Sequence, residues 1–421
     1  MSVFDPTHFL FQAEPGTLIG MLWFLIILDI PRYTLACISV VVYEVFGRHR
    51  KPAVVGEPLV TIVIVGHNEQ PTIRRCITSL REQSYGNMEI ICVDDGSDDG
   101  MAEELSKLRA EGLVDGALTT SPRCGKPSAC NLGFGRARGD LIVNADVDCT
   151  FDRDAIANIV APLADPTVGA VSGNIGVRNA EASLITGLQS VEYLISISLG
   201  KRALDFFNIV TCASGAFSAF RRQALESVGG LDVGPGEDLD LTLRLRKAGW
   251  EVRFAEDAWC LTNVPATIPG FVRQRLRWER DAIRLRLRKH RDVINPTNRA
   301  FYFSEFLHNC EFLLTNIVVT FAFPFYLIWL FFQFGSGAWT ILVLVTIGYV
   351  LLDFIAAGCA LAAGYRPGAW RVWPYVIPYG AFNAFVMRGI RIYAYLQEWI
   401  FRTSYTDRYI PKRVLERAPW Y

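Results

Sequence analysis

Residues 18–46 form an almost unbroken apolar stretch, interrupted by Asp29, Pro31 and Arg32. A helix that crosses a bilayer needs ~20 residues. Either side of Pro31 is too short, and the two together suit one spanning helix kinked at the proline. Its length and the lack of a basic leading end argue against a cleaved signal. Residues 312–334 and 339–363 give two more spans, parted by the turn Gly335-Ser336-Gly337. Residues 376–400 give a weaker fourth, because Arg388 and Arg391 fall inside it. Basic residues stay on the cytoplasmic side. The runs GRHRK (47–51) and RPGAWR (366–371) therefore orient the chain, with the long stretch between the first two spans in the cytoplasm. The expectation is a multi-pass protein of the plasma (inner) membrane, in contact with its lipids.

The segments expected are an N-terminal span (1–50), a cytoplasmic domain (51–270), an amphipathic interfacial helix (271–300), C-terminal spans (301–400) and a cytoplasmic tail (401–421). A net charge of +0 gives no reason to expect a nucleic-acid partner. Ten scattered cysteines and five dispersed histidines, without CxxC pairs or Cys/His clusters, argue against a disulfide framework and a zinc site.

The cytoplasmic domain alternates strand and helix signals. LVTIVIV (59–65), EIICV (89–93) and DLIVNA (140–145) read as buried strands, and residues 71–82 as a helix with Pro71 in its first turn. Such alternation predicts an α/β fold with a mostly parallel sheet, whose ligands bind beyond the carboxyl ends of the strands. Acidic groups fall at two such ends: Asp94 and Asp95, then Asp146 and Asp148.

In an extended strand, residues two apart face the same side, so Asp146 and Asp148 can share one ion. Hard oxygen ligands favour magnesium or manganese, which also bind substrate phosphates. An isolated DxD is as readily a solvated turn, and Asp94-Asp95-Gly an ordinary one; their delivery to one sheet edge is what favours a ligand. The GHNEQP loop (66–71) reaches the same edge with His67, Asn68 and Glu69. Lys126 stands at a helix start, where backbone amides and an ammonium can meet an anion. These loops together suit a nucleoside diphosphate with its metal. In GEDLDLTLRLRKAGW (236–250), Glu237 and Asp238 open another helix. Capping could account for either carboxylate, and so could a general base aimed at a hydroxyl.

The order GHNE, DDGSDDG, GK, ADVD, SGAF, GED and QRLRW resembles that of the inverting family 2 glycosyltransferases. The Q-x-x-R-W ending and the spans are similar to the processive members, the chitin-oligosaccharide, poly-N-acetylglucosamine, hyaluronan and cellulose synthases. VGAVSGNIGVR (168–178) and SGAFSAFRR (214–222) look most like the N-acetylglucosamine-polymerising branch. The resemblance runs from about residue 59 to 280; beyond it only the spans are shared. It implies a GT-A-like domain acting on a UDP-sugar. Asp94 and Asp95, helped by the GHNE loop, would hold the uridine. Asp146 and Asp148 would bind Mg2+ or Mn2+ on the diphosphate, and Asp238, beside Glu237, would be the base. Gln274, Arg277 and Trp278 would close over the donor and line the acceptor site, with Ser214 and Gly215 near the acceptor sugar. Gly236 departs from the family's T-E-D.

Arg277 could offer two parallel donors to diphosphate oxygens, and Trp278 a flat face for a sugar ring. Val272, Leu276, Ile283 and Leu287 form an apolar stripe that also suits a helix lying on the membrane face. The expected activity is processive, inverting, metal-dependent polymerisation of UDP-N-acetylglucosamine into a β-linked polysaccharide, coupled to export and compatible with accessory export proteins. UDP-glucose as donor, single addition to a lipid acceptor, and a non-catalytic membrane scaffold are the alternatives.

Overall fold

A computed structural model describes residues 15–47, 56–298, 301–364, 368–407 and 410–417. Residues 48–51 and Arg366, which carry part of the orientation argument, lie outside them, as do 408–409 and 418–421 of the tail.

Eight strands form one sheet: β1 (Val60–Gly66), β2 (Met88–Asp94), β3 (Gly116–Thr119), β4 (Leu141–Asp146), β5 (Thr150–Phe151), β6 (Val168–Val177), β7 (Phe217–Arg221) and β8 (Glu251–Thr262). Their order is β3-β2-β1-β4-β7-β6-β8-β5. The β3-β2-β1-β4 half is parallel, β7 runs antiparallel to β4 and β6, and β6 and β8 are parallel. β1 is β-branched almost throughout and wholly buried, which suits a strand covered on both faces. Alternation divides its side chains between two cores. Ile62 and Ile64 join Ile73 and Ile77 of α1 (Gln70–Arg81). Val63 and Val65 join Ala129 and Phe134 of α2 (Lys126–Arg136), with Leu241 and Leu245.

Among the described residues, three helices are long and apolar enough to cross a membrane: Ile19–Phe46, Phe303–Phe334 and Gly337–Ala363. In the first, a π-helical turn over Phe24–Asp29 directly precedes Pro31. The proline ring crowds the carbonyl four residues back, and the wider turn accommodates it. The second begins at Phe303, ahead of the expected 312, because the mixed segment before it is helical too.

The weak fourth stretch is not among the three. It is a helix from Trp373 to Phe401 with a π-helical middle, and its charges face protein. Arg391 Nε donates to Glu279 (3.0 Å) and Tyr395 Oη to the same carboxylate (2.7 Å). Arg288 pairs with the buried Glu398 (2.5 Å).

Further helices lie between the sheet and the long apolar helices. Leu184–Glu192, opened by a capping box between Ser183 and Thr186, runs through a π-helical turn into α3 (Gly200–Phe206). α4 (Glu237–Lys247) precedes β8, and α5 (Ile268–Ile283) follows it, capped by Thr267. The apolar stripe of α5 finds protein rather than lipid. Val272 and Leu276 pack with Tyr379, Phe382 and Ile390, and Ile283 with Ala394, Tyr395 and Phe312. The Trp373–Phe401 helix covers much of the stripe.

Candidate active site

β1, β2 and β4 end in register, Gly66 opposite Asp94 and Val65 opposite Asp146, so their loops emerge at one edge. The first two loops are stitched together. Asn68, at φ 59°, accepts from the Asp98 N–H (2.9 Å) and donates its own N–H to Ser97 Oγ (2.9 Å). His67 Nδ1 lies 3.0 Å from the Asp95 carbonyl. Glu69 Oε2 accepts from Thr72, and burial raises its pKa, with Asp148 and Asp146 adding to the rise.

The Asp pair divides its labour. Asp95 uses both oxygens within the fold, accepting from Thr120 Oγ1 (3.0 Å) and from the N–H groups of Cys124 (2.8 Å) and Gly125 (2.9 Å). Asp94 accepts from Ser97 N through Oδ1 (3.0 Å), while its Oδ2 is buried with no protein partner. Asp94 is thus the one of the two that offers a buried acceptor to a ligand.

Lys126 is the first residue of α2, after Gly125 at φ +88°. Its Nζ lies 2.7 Å from Asp146 Oδ1 and 3.4 Å from Glu237 Oε1. Burial raises the pKa of Asp146; Lys126 opposes the rise and Asp148 adds to it. Burial also raises that of Glu237, against Lys126 and with Asp238. Thr262 Oγ1 donates to Asp148 Oδ2 (2.9 Å).

Gly236 occupies the left-handed region at φ +74°, and a Cβ there would lie 2.9 Å from Leu285 Cδ1. A threonine would be strained, which accounts for the departure from T-E-D. Gly236 makes no side-chain cap. Asp238 Oδ1 accepts from the adjacent Leu239 N–H (2.7 Å), a helix-start bond, and Oδ2 accepts from Gly215 N–H (3.0 Å). A Cβ on Gly215 would meet Lys126 Nζ at 3.2 Å, so SGAF, Lys126 and Asp238 converge.

α5 supplies a second wall. The Oε1 of Gln274 is buried without a protein partner. Arg277 and Arg284 act on the buried Asp281, whose pKa burial nevertheless pushes up to about 8. Trp278, expected as a sugar platform, is partly exposed and receives the Arg275 guanidinium 4.2 Å from its ring centroid. Arg275 is itself held by Glu192 (2.8 Å).

Among the described residues, no three His, Cys, Asp or Glu side chains gather closely enough to hold a metal by themselves. The donor set still fits a hard divalent cation, which binds through one or two carboxylates and completes its shell with water and phosphate. Asp146, Asp148, Glu237 and Asp238 outnumber the nearby ammonium groups, and a divalent ion would offset that excess.

The tail went unread in the sequence. Asp407 pairs with Arg280 (3.1 Å), Ser404 is bonded to Glu398, and Ile410 is buried. Pro411 reaches Gly125, and α6 (Lys412–Arg417) follows. A small open pocket between them is lined by Gly125, Lys126, Val233, Glu237, Ile410 and Pro411. Lys201 and Asp281 were missed as well, because neither lies in a motif and each gains meaning only through partners distant in sequence.

The sheet order, with its acidic edge at β2 and β4, defines a GT-A-like glycosyltransferase fold. Residues 61–229 match the Glycosyl transferase family 2 model. The chain is 32% identical over 254 residues to an N-acetylglucosaminyltransferase of Rhizobium meliloti (strain 1021), covering 55% of this chain and 59% of that protein. It is 30% identical over 240 residues to a poly-beta-1,6-N-acetyl-D-glucosamine synthase of Staphylococcus aureus (strain COL), covering 55% and 57%. The chain thus spans less than two thirds of these curated relatives. The fold is similar to the solved mannosyltransferase PcManGT from Pyrobaculum calidifontis, described in complex with GDP-Man and Mn2+. That likeness has a TM-score of 0.52 and 23% identity, over 87% of this chain and 99% of the other.

Proposed function

We propose that this protein is a membrane-embedded, inverting glycosyltransferase that polymerises UDP-N-acetylglucosamine processively into a β-linked polysaccharide on the cytoplasmic side and passes it toward export. The observation that carries the reading is the meeting of Lys126, Asp146, Glu237 and Asp238 at one sheet edge, with Asp238 Oδ2 pinned by the Gly215 N–H. Similarity to N-acetylglucosamine transferases supports the choice of sugar.

Asp94 Oδ2 would accept from the uracil ring, and Lys126 and Arg277 would donate to the diphosphate. Asp146 and Asp148 would hold Mg2+ or Mn2+, which when bound neutralises charge on the diphosphate. With one base and no protein nucleophile in the assigned roles, the acceptor hydroxyl attacks the anomeric carbon from the face opposite UDP. The carbon–oxygen bond to UDP breaks as the new one forms, the proton passes to Asp238, and UDP leaves as the anion. An α-linked donor then gives a β-linked product.

The test is full-length protein in lipid with radiolabelled UDP-N-acetylglucosamine, the product sized and its anomeric configuration read by NMR. A β-linked ladder that Asp238→Asn slows by ~10²–10⁴-fold is expected. A single sugar on lipid would replace polymerisation with the glycolipid reading. An α-linked product would exclude the single displacement.

A further inference from the structure

α3 separates two environments. Leu199 and Ala203 pack with Cys37 and Val40 of the first span and with Ala356 and Ala360 of the third. Lys201 is two residues from each. At 100° per residue it projects from the opposite side of the helix, into the sheet. Its side chain is buried, and Nζ donates to Ser172 Oγ on β6 (2.8 Å) and to Ser214 Oγ (2.5 Å). An ammonium buried on two neutral hydroxyls costs free energy that an apolar side chain of similar length would not. Packing alone therefore does not account for a lysine here.

What Lys201 holds is the segment beside Asp238. Ala213 N–H donates to Thr242 Oγ1 (2.9 Å), and that hydroxyl donates to the Asp238 carbonyl (2.7 Å). Gly215 N–H reaches the Asp238 carboxylate. Residues 213–215 are thus tied to α4 on either side of Ser214, and Ser214 is tied to α3. We propose that Lys201 is a positioning residue: it anchors the 213–215 segment to a helix seated on the membrane spans, and so holds Gly215 N–H on Asp238 at the acceptor side. The proposal rests on the reading of Asp238 as the base.

The test uses full-length protein in lipid and measures polymer formation, donor KM, UDP release without acceptor, and thermal midpoint. Lys201→Met should slow transfer ~10- to 100-fold while donor KM and acceptor-independent UDP release stay within about twofold. Ser214→Ala should show the same split, and the double variant should be no slower than Lys201→Met, since both act through one link. If Lys201→Met does not accumulate, Ser214→Ala is judged by the same split. Unchanged transfer, multiplying losses in the double variant, or a loss in which KM, UDP release and thermal midpoint all worsen together would overturn the proposal. Asp238→Asn is measured alongside. Near-normal transfer there removes the base assignment and this proposal with it. A slow Asp238→Asn beside a normal Lys201→Met overturns the proposal alone.

Discussion

Asp146 and Asp148 leave β4 two residues apart, yet their surroundings differ: one is paired with Lys126 and the other held by Thr262. Two carboxylates facing a diphosphate would only repel it. Transfer should therefore stop on chelation with EDTA and return with Mg2+ or Mn2+, and Asp148→Ala should not be rescued by either. Full turnover by Asp148→Ala in EDTA would end the metal assignment. Asp281 makes a second expectation. Burial raises its folded pKa to about 8, against the pull of Arg284 and Arg277. The stability this confers is complete below the unfolded value near ~3.9 and is lost as pH rises through about 8. The thermal midpoint in detergent should fall over that window, and Asp281→Asn should flatten the slope; an unaltered slope would show that another group sets it. The carboxylates and Lys126 were legible in the sequence because each sits in a local signal, a strand end or a helix start. The unequal roles of Asp94 and Asp95 were not, since adjacent letters do not say which oxygen meets Gly125 N–H.

Among the elements, α5 was readable as amphipathic, but its covering was not. Periodicity marks an apolar stripe without naming what lies on it, and here the stripe meets the Trp373–Phe401 helix. Of the arginines that made that helix look like a weak span, Arg391 is partnered by Glu279, and Arg388 lies over the Phe323 ring, 4.3 Å from its centroid. The tail is the element the sequence hid best, being short and without a motif. Pro411 lies against Gly125, at the turn that starts α2. Removing residues 408–421 would strip one wall of the Lys126–Glu237 pocket. UDP should then bind about tenfold more weakly, ~1.4 kcal/mol, as read by calorimetry on the full-length and shortened proteins. Equal affinities would mean that the tail plays no part in holding the nucleotide.

At the level of the whole molecule, three parallel strands of the sheet, β1, β2 and β4, were legible from their apolar runs, and the three long apolar helices from their length. The way the two parts join was not, because it depends on ion pairs between distant segments such as Glu279 and Arg391. Arg391→Met leaves Glu279 with Tyr395 but without its cation. Losing one partner of such a partly buried, hydrogen-bonded pair costs about 1–3 kcal/mol, so the thermal midpoint should drop by a few degrees. A midpoint unmoved by Arg391→Met would show that the pair is not what fastens α5. The cluster that holds Phe271 of α5 and Leu188 also holds Ala357 of the third span and Tyr379 of the last helix. The sheet domain and the long apolar helices therefore have no seam between them. Cut free of the long apolar helices, the sheet domain would carry a raw oily wound where Phe271 and Leu188 now lie covered, and would clump before it could be assayed. A substitution chosen to adjust the apolar helices will be felt at the candidate site.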